Sequence, residues 1–199
     1  MASPSAGPAP PSPCEMCAAP MPEEHEHLVR VGMPGILCVC RACRLLLSAE
    51  GAGHGKFKAV PDRWVGGREL SLDDEQWMRL GIPVRIAFFV VDSSRGHPVG
   101  FYPSPGGAIE AELDDGSRRD LSATAGIGML EPDVEAWLVD GRDRDAATGW
   151  VVPLNAAYEL VARLRMAWEG FTGGPRARAA LEAFFERARR NADGNARPV

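Results

Sequence analysis

Leu37-Cys38-Val39-Cys40-Arg41-Ala42-Cys43-Arg44-Leu45-Leu46-Leu47-Ser48-Ala49-Glu50-Gly51 joins an apolar, strand-like run to a leucine-rich segment through a C-x-x-C knuckle. The run delivers Cys40. A short helix is expected to begin around Cys43 and to close with Gly51 as its C-terminal cap. Twenty-two residues separate this knuckle from an earlier one, Cys14-Glu15-Met16-Cys17. Two residues between paired cysteines make a tight turn that aims both sulfurs the same way. Two such pairs let four thiolates converge tetrahedrally on one soft metal ion. Cys14, Cys17, Cys40 and Cys43 are therefore the expected ligands, and zinc is the expected ion.

Between the knuckles, His27-Leu28-Val29-Arg30-Val31 and Ile36-Leu37-Cys38-Val39 flank Gly32-Met33-Pro34-Gly35. That is a hairpin pattern with a glycine- and proline-bearing turn. A knuckle, a hairpin and a ligand pair at a helix start resemble a treble-clef zinc finger. The helix N-terminus also suits thiolates, because its unpaired N–H groups and positive dipole end favour negative charge.

Iron in a rubredoxin-like site uses the same two knuckles and is the alternative cofactor, with redox chemistry the alternative role. Such sites usually read Cys-Pro-x-Cys-Gly in the second knuckle, where this chain has Arg41 and Arg44. Disulfides are disfavoured. No Lys or Arg precedes Arg30 and no hydrophobic signal core appears, so a reducing, cytoplasmic setting is expected.

Cys38 stands two residues before Cys40, on the same strand face. It is expected to pack as a small apolar group; the alternative is a spare ligand for metal exchange, as in a metallochaperone that passes a metal through Cys38 and the paired histidines, His25 and His27. His25 and His27 alternate along the strand. With four thiolates saturating zinc, they are expected to be exposed hairpin residues.

The chain has 199 residues, 45% of them apolar, enough for one ordinary domain plus a small metal module. Net charge is −5, which argues against broad affinity for nucleic acid or anionic membrane. From Cys14 to Arg68 seven basic residues face six acidic ones, and the helix after Cys43 is leucine-rich rather than basic, so DNA binding is disfavoured. The longest apolar run, Ile86 to Val91, is too short to span a bilayer.

Residues 1–13 hold five prolines and no charged side chain, and read as a disordered tail. The expected zinc-binding module covers 14–51, an α+β domain 56–192, and a flexible tail 193–199. The fold class is α+β: the treble-clef-like module, then a mainly antiparallel sheet packed by two C-terminal helices. Lys56 to Val60 alternates as a strand. Ser71 and an acidic first turn open a short helix that closes at Gly81. Val84 to Val91 reads as a strand buried on both faces. Further strands are expected at Val99 to Tyr102, Ala108 to Leu113, Val134 to Val139 and Trp150 to Val152.

Asp114-Asp115-Gly116 has turn chemistry and lacks the twelve-residue ligand pattern of a calcium loop. Ser104, in Pro103-Ser104-Pro105-Gly106-Gly107, has no histidine placed to activate it and is expected in a rigid turn. His54 is expected in a solvated loop. Leu154, Ala157, Val161, Leu164, Trp168 and Phe171 form one helical stripe, widened by Leu160. In the last helix Leu181, Phe184, Phe185 and Ala188 form the buried side. Arg176, Arg178, Arg187, Arg189 and Arg190 lie outside it, as a solvated face or as partners for the chain's own acidic segment, Glu110 to Asp145.

Cys14-Glu15-Met16-Cys17, His25-x-His27-Leu28, Cys38-Val39-Cys40-Arg41-Ala42-Cys43 and Ile82-Pro83-Val84 carry a resemblance. So do Tyr102-Pro103-Ser104-Pro105-Gly106-Gly107-Ala108, Pro132-Asp133-Val134-Glu135-Ala136 and Tyr158-Glu159-Leu160-Val161. In these pieces the chain resembles a bacterial family of no assigned function, often encoded beside high-affinity nickel–iron uptake hydrogenases and their maturation genes. The resemblance implies a non-enzymatic accessory or maturation role, with a hydrogenase subunit or assembly factor as protein partner. It brings no catalytic residue, and none is expected.

Overall fold

The computed structural model describes residues 12–49, 51–69, 74–143, 147–170 and 173–195. Most of the two expected tails lies outside the described residues, as do 71–73 of the expected helix start and Phe171 of the apolar stripe. The chain divides into two units, residues 1–59 and 60–199.

In the first unit, β1 (Glu26–Arg30) and β2 (Leu37–Val39) form the expected hairpin, with His27 opposite Cys38 and Leu28 opposite Leu37. A third strand, β3 (Phe57–Ala59), pairs antiparallel with the other edge of β1, so that the order is β2-β1-β3. The sequence reading puts this strand in the larger domain. It completes the small sheet instead, because a lone hairpin is marginal and leaves β1 with an unpaired edge. Leu28 and Val39 are fully buried against Met21 and Cys14, a core of few residues.

Helix α1 (Arg41–Ser48) follows β2 directly. Cys40 is its N-cap, and Ala49, in extended backbone, is its C-cap. Gly51 is therefore not the expected cap. Its positive φ of 77° instead opens a single 3₁₀ turn over Ala52–Gly55, which holds His54.

The second unit is built on a six-stranded antiparallel sheet ordered β4-β9-β8-β5-β6-β7. The strands are β4 (Val65–Glu69), β5 (Ile86–Asp92), β6 (His97–Ser104), β7 (Gly107–Ala111), β8 (Glu135–Asp140) and β9 (Thr148–Pro153). Strand β5 runs between β8 and β6 and is buried on both faces, as its unbroken apolar run dictates. Phe88 stacks on Phe101 with ring centroids 5.1 Å apart and meets Tyr158 edge-on at 5.5 Å. Phe89, on the opposite side, packs against Trp137 at 5.9 Å.

Tyr158 belongs to α5 (Leu154–Ala167), which with α6 (Gly174–Asn195) covers the Phe88 face. Leu154, Ala157, Leu160, Val161 and Leu164 are buried, the stripe read from the sequence. In α6 the buried side is Ala177, Phe184, Phe185 and Ala188, with Leu181 half-buried. Arg187 is drawn to its neighbouring helix rather than to the acidic segment, donating to both Glu159 oxygens at 3.0 and 2.7 Å. Helix α6 also runs three residues into the stretch expected to be a tail.

The Phe89 face is covered by α2 (Asp74–Arg79), which lies within the expected Ser71–Gly81 helix, and by two helices the sequence reading missed, α3 (Asp115–Ser122) and α4 (Ala125–Gly128). Trp77, Leu121 and Ile127 from these helices join Phe89 and Trp137 in one cluster. Asp114, read as turn chemistry, is the N-cap of α3, its carboxylate accepting from the Ser117 N–H at 2.6 Å. Turns and caps use the same side-chain-to-backbone bond, so the residue alone does not tell them apart.

Candidate metal centre

The first knuckle is a turn closed on itself. Ala18 N–H donates to the Cys14 carbonyl and Cys14 N–H to the Ala19 carbonyl, both at 2.8 Å. Glu15 N–H then donates to the Cys38 carbonyl at 3.0 Å, which fastens the turn to β2. The second knuckle is the start of α1. Cys40 Sγ accepts from the Cys43 N–H at 3.5 Å, a capping bond in which sulfur replaces the usual oxygen.

The two knuckles meet. Cys40 N–H donates to Cys14 Sγ at 3.2 Å, and Cys17 Sγ lies 3.8 Å from Cys40 Sγ. All four sulfurs, of Cys14, Cys17, Cys40 and Cys43, fall within 4.8 Å of one another. A regular tetrahedron with metal–sulfur bonds of ~2.3 Å has edges of ~3.8 Å. All five cysteines are free thiols. Cys14 is buried, Cys40 and Cys43 are half-buried, and Cys17 is exposed.

Charge is unevenly shared in the cluster. Burial acts to raise the Cys14 thiol, but donors from the backbone of Cys40, Met16 and Cys17 outweigh it and bring it to about 6. A hydrogen bond to the Cys17 sulfur, then burial and bonds to Cys40 and Cys14, push the Cys43 thiol up to about 12. The cluster therefore favours a thiolate at Cys14 and disfavours one at Cys43. Such a donor set fits a soft or borderline divalent ion.

The remaining residues singled out in the sequence fall as follows. Ser104 Oγ donates to the Gly107 carbonyl at 2.9 Å and accepts from the Gly106 N–H at 3.0 Å, so it ties its own turn. His27 and Cys38 are cross-strand neighbours, with His25 beside them. Cys38 packs against the small core as expected of an apolar group, but it does so in the company of both histidines. Glu15, which the sequence reading passed over, touches Cys38: its carboxylate accepts from the Cys38 backbone N–H, and its own backbone N–H donates to the Cys38 carbonyl. The hairpin register gives the alternative grouping of Cys38 with the paired histidines its physical basis, since i, i+2 and the cross-strand partner share one face.

A family model described as a family of unknown function (DUF5947) matches residues 13–192. The chain belongs to that family. The match runs through both knuckles, the hairpin and the larger sheet, so family membership extends over both units. No curated protein and no solved structure matches the chain. No described helix is long and apolar enough to cross a membrane.

Proposed function

We propose that this protein is a non-enzymatic zinc-binding accessory protein whose metal module presents a surface to a protein partner. The observation that carries the reading is the convergence of Cys14, Cys17, Cys40 and Cys43 within 4.8 Å. Zinc there supplies a redox-inert tetrahedral cross-link between the first knuckle and α1. Four sulfur ligands leave such an ion no open position for a substrate, which supports a structural role. The chain order of knuckle, hairpin and Cys-capped helix supports a treble-clef-like arrangement, with β3 added at the hairpin's edge.

Support for a protein partner comes from α1. Leu45 and Leu46 are 55% and 71% exposed on the helix that carries Cys43. Large apolar side chains so exposed in a row favour a protein contact over water. Arg44 pairs with Glu26 at 3.1 Å, so this basic residue is engaged within its own unit rather than offered to a phosphate backbone. A nickel–iron hydrogenase subunit or assembly factor as the partner rests on the resemblance read from the sequence.

Elemental analysis of protein purified from its native cells tests the metal: zinc that survives a mild chelator is expected, and firmly bound iron overturns the assignment. Affinity capture tests the partner. Wild-type protein is expected to enrich a hydrogenase component, and Leu45→Ser/Leu46→Ser to lose it. Equal enrichment by both, or none by either, overturns the proposed docking surface.

A further inference from the structure

The hairpin places three more metal-binding side chains together, apart from the four sulfurs described above. His27 faces Cys38 across β1 and β2, and His25 lies two residues before His27, hence on the same side. One ligand atom from each of the three lies within 4.8 Å of the others. The two imidazoles sit with centroids 4.8 Å apart at a tilt of 43°.

His25 gives the grouping a direction. Its Nδ1 is 2.8 Å from the Glu23 carbonyl oxygen, which has no proton to donate, so Nδ1 carries the hydrogen. In the neutral ring, Nε2 is then a lone-pair acceptor. It is closed off from solvent and has no hydrogen-bond partner. A buried acceptor without a donor is costly, and a metal ion satisfies it. A ligating histidine characteristically gives its other N–H to a carbonyl in this way, which fixes the tautomer and the ring.

Glu15 completes the surroundings. Its carboxylate accepts from the Cys38 backbone N–H, while its own N–H holds the Cys38 carbonyl at 3.0 Å. Cys38 is thereby clasped from the first knuckle on both sides of its peptide.

We propose that His25, His27 and Cys38 form a second, open metal site for a borderline divalent transition-metal ion, with Glu15 as the positioning residue for Cys38. Two imidazoles and a thiolate suit ions such as Zn²⁺ and Co²⁺. Three protein ligands leave a tetrahedral ion one position for water or an incoming donor, unlike the four-sulfur cluster. Cys38 coordinates as thiolate, its thiol proton going to solvent, and each histidine coordinates through a ring nitrogen that bears no proton. An ion held this way is exchangeable, which fits it for transfer to or from another protein.

The test is a Co²⁺ titration of the full-length chain under reducing, oxygen-free conditions. Bound ions are counted by elemental analysis, and the ligand type is read from X-ray absorption. Wild type is expected to hold two ions per chain, one with sulfur ligands only and one with mixed nitrogen and sulfur. His25→Gln/His27→Gln and Cys38→Ser are each expected to lose the mixed-ligand ion and keep the all-sulfur one, whose retention shows that the unit is still folded. Glu15→Gln is expected to keep both ions but to weaken the second by about tenfold or more. Wild type saturating at one all-sulfur ion overturns the site, as does a histidine variant that still binds two ions. Unchanged affinity in Glu15→Gln removes the role given to Glu15. One mixed-ligand ion, lost in the histidine variant and with no all-sulfur ion in wild type, upholds this site and overturns the four-cysteine reading instead.

Discussion

The backbone N–H of Cys40 donates to the Sγ of Cys14 across 3.2 Å, so the residue that caps α1 also holds the buried cysteine of the first knuckle. Two segments twenty-six positions apart in the chain are thus joined through sulfur even among free thiols. On the proposed zinc reading, the ion finds its ligands already gathered.

Loss of that residue is expected to act locally. On the proposed zinc reading, a small unit with a four-residue buried core draws much of its stability from the ion, since zinc binding in finger peptides contributes on the order of 10–16 kcal/mol. Cys40→Ala is expected to release the metal and to abolish amide-exchange protection over residues 14–59, β3 included, while the transition of the larger unit stays where it was. Protection unchanged in that segment contradicts the assignment.

Trp137 is clamped by two glycines in the larger unit. A Cβ on Gly126 would lie 2.3 Å from its indole Cε2, and one on Gly149 would lie 2.3 Å from Nε1. Gly126→Ala is expected to cost about 1–3 kcal/mol by overpacking. Gly128→Ala, in the same helix with nothing within 4 Å of the added carbon, is expected to be neutral or to stabilise by up to ~1 kcal/mol. Urea denaturation of the pair decides it, and equal midpoints would sink the clamp.

Glu135 is 1% exposed and accepts from Arg63 Nε and Nη2, both at 2.6 Å, and from the Glu131 N–H at 2.8 Å. Arg63→Ala leaves a buried carboxylate without its cation, at a cost on the order of 3 kcal/mol. Because the cost lies in the stranded charge, adding Glu135→Leu is expected to recover part of it. A double variant less stable than Arg63→Ala would refute that account.

Glu159 supplies a pH dependence. Burial acts to raise its carboxyl, but Arg187 and Arg163 bring it below its ordinary 4.5. A carboxyl lowered in the folded state stabilises the fold when ionised, so its contribution is full above pH 4.5 and fades as pH falls below that value. Glu159→Gln is expected to lose about 1 kcal/mol at neutral pH, the magnitude of a half-exposed pair. The gap to wild type should close on acidification, as read by thermal melts at several pH values. A gap that widens toward acid would reverse the sign argued here.

Several elements could be read from residue order because their cause is local. The unbroken apolar run of β5 demands burial on both sides, and the stripe from Leu154 to Leu164 demands one helical face. Strand β4 escaped notice because Gly66 and Gly67 mask it. Its glycines answer to a distant partner, since a Cβ on Gly67 would meet Trp150 at 2.7 Å. Helix α3 was hidden by Asp114, whose capping bond looks like a turn until the following residues are seen to coil.

Residue order alone singled out the four cysteines whose sulfurs lie within 4.8 Å of one another, because a C-x-x-C turn is a short-range object whose geometry hardly depends on its surroundings. Folding in three dimensions decided the rest: that β3 closes the small sheet, and that His25, His27 and Cys38 share a face with Glu15 beside them. Those neighbours are made by strand register and by hydrogen bonds between remote segments, and neither has a signature within any one stretch of chain.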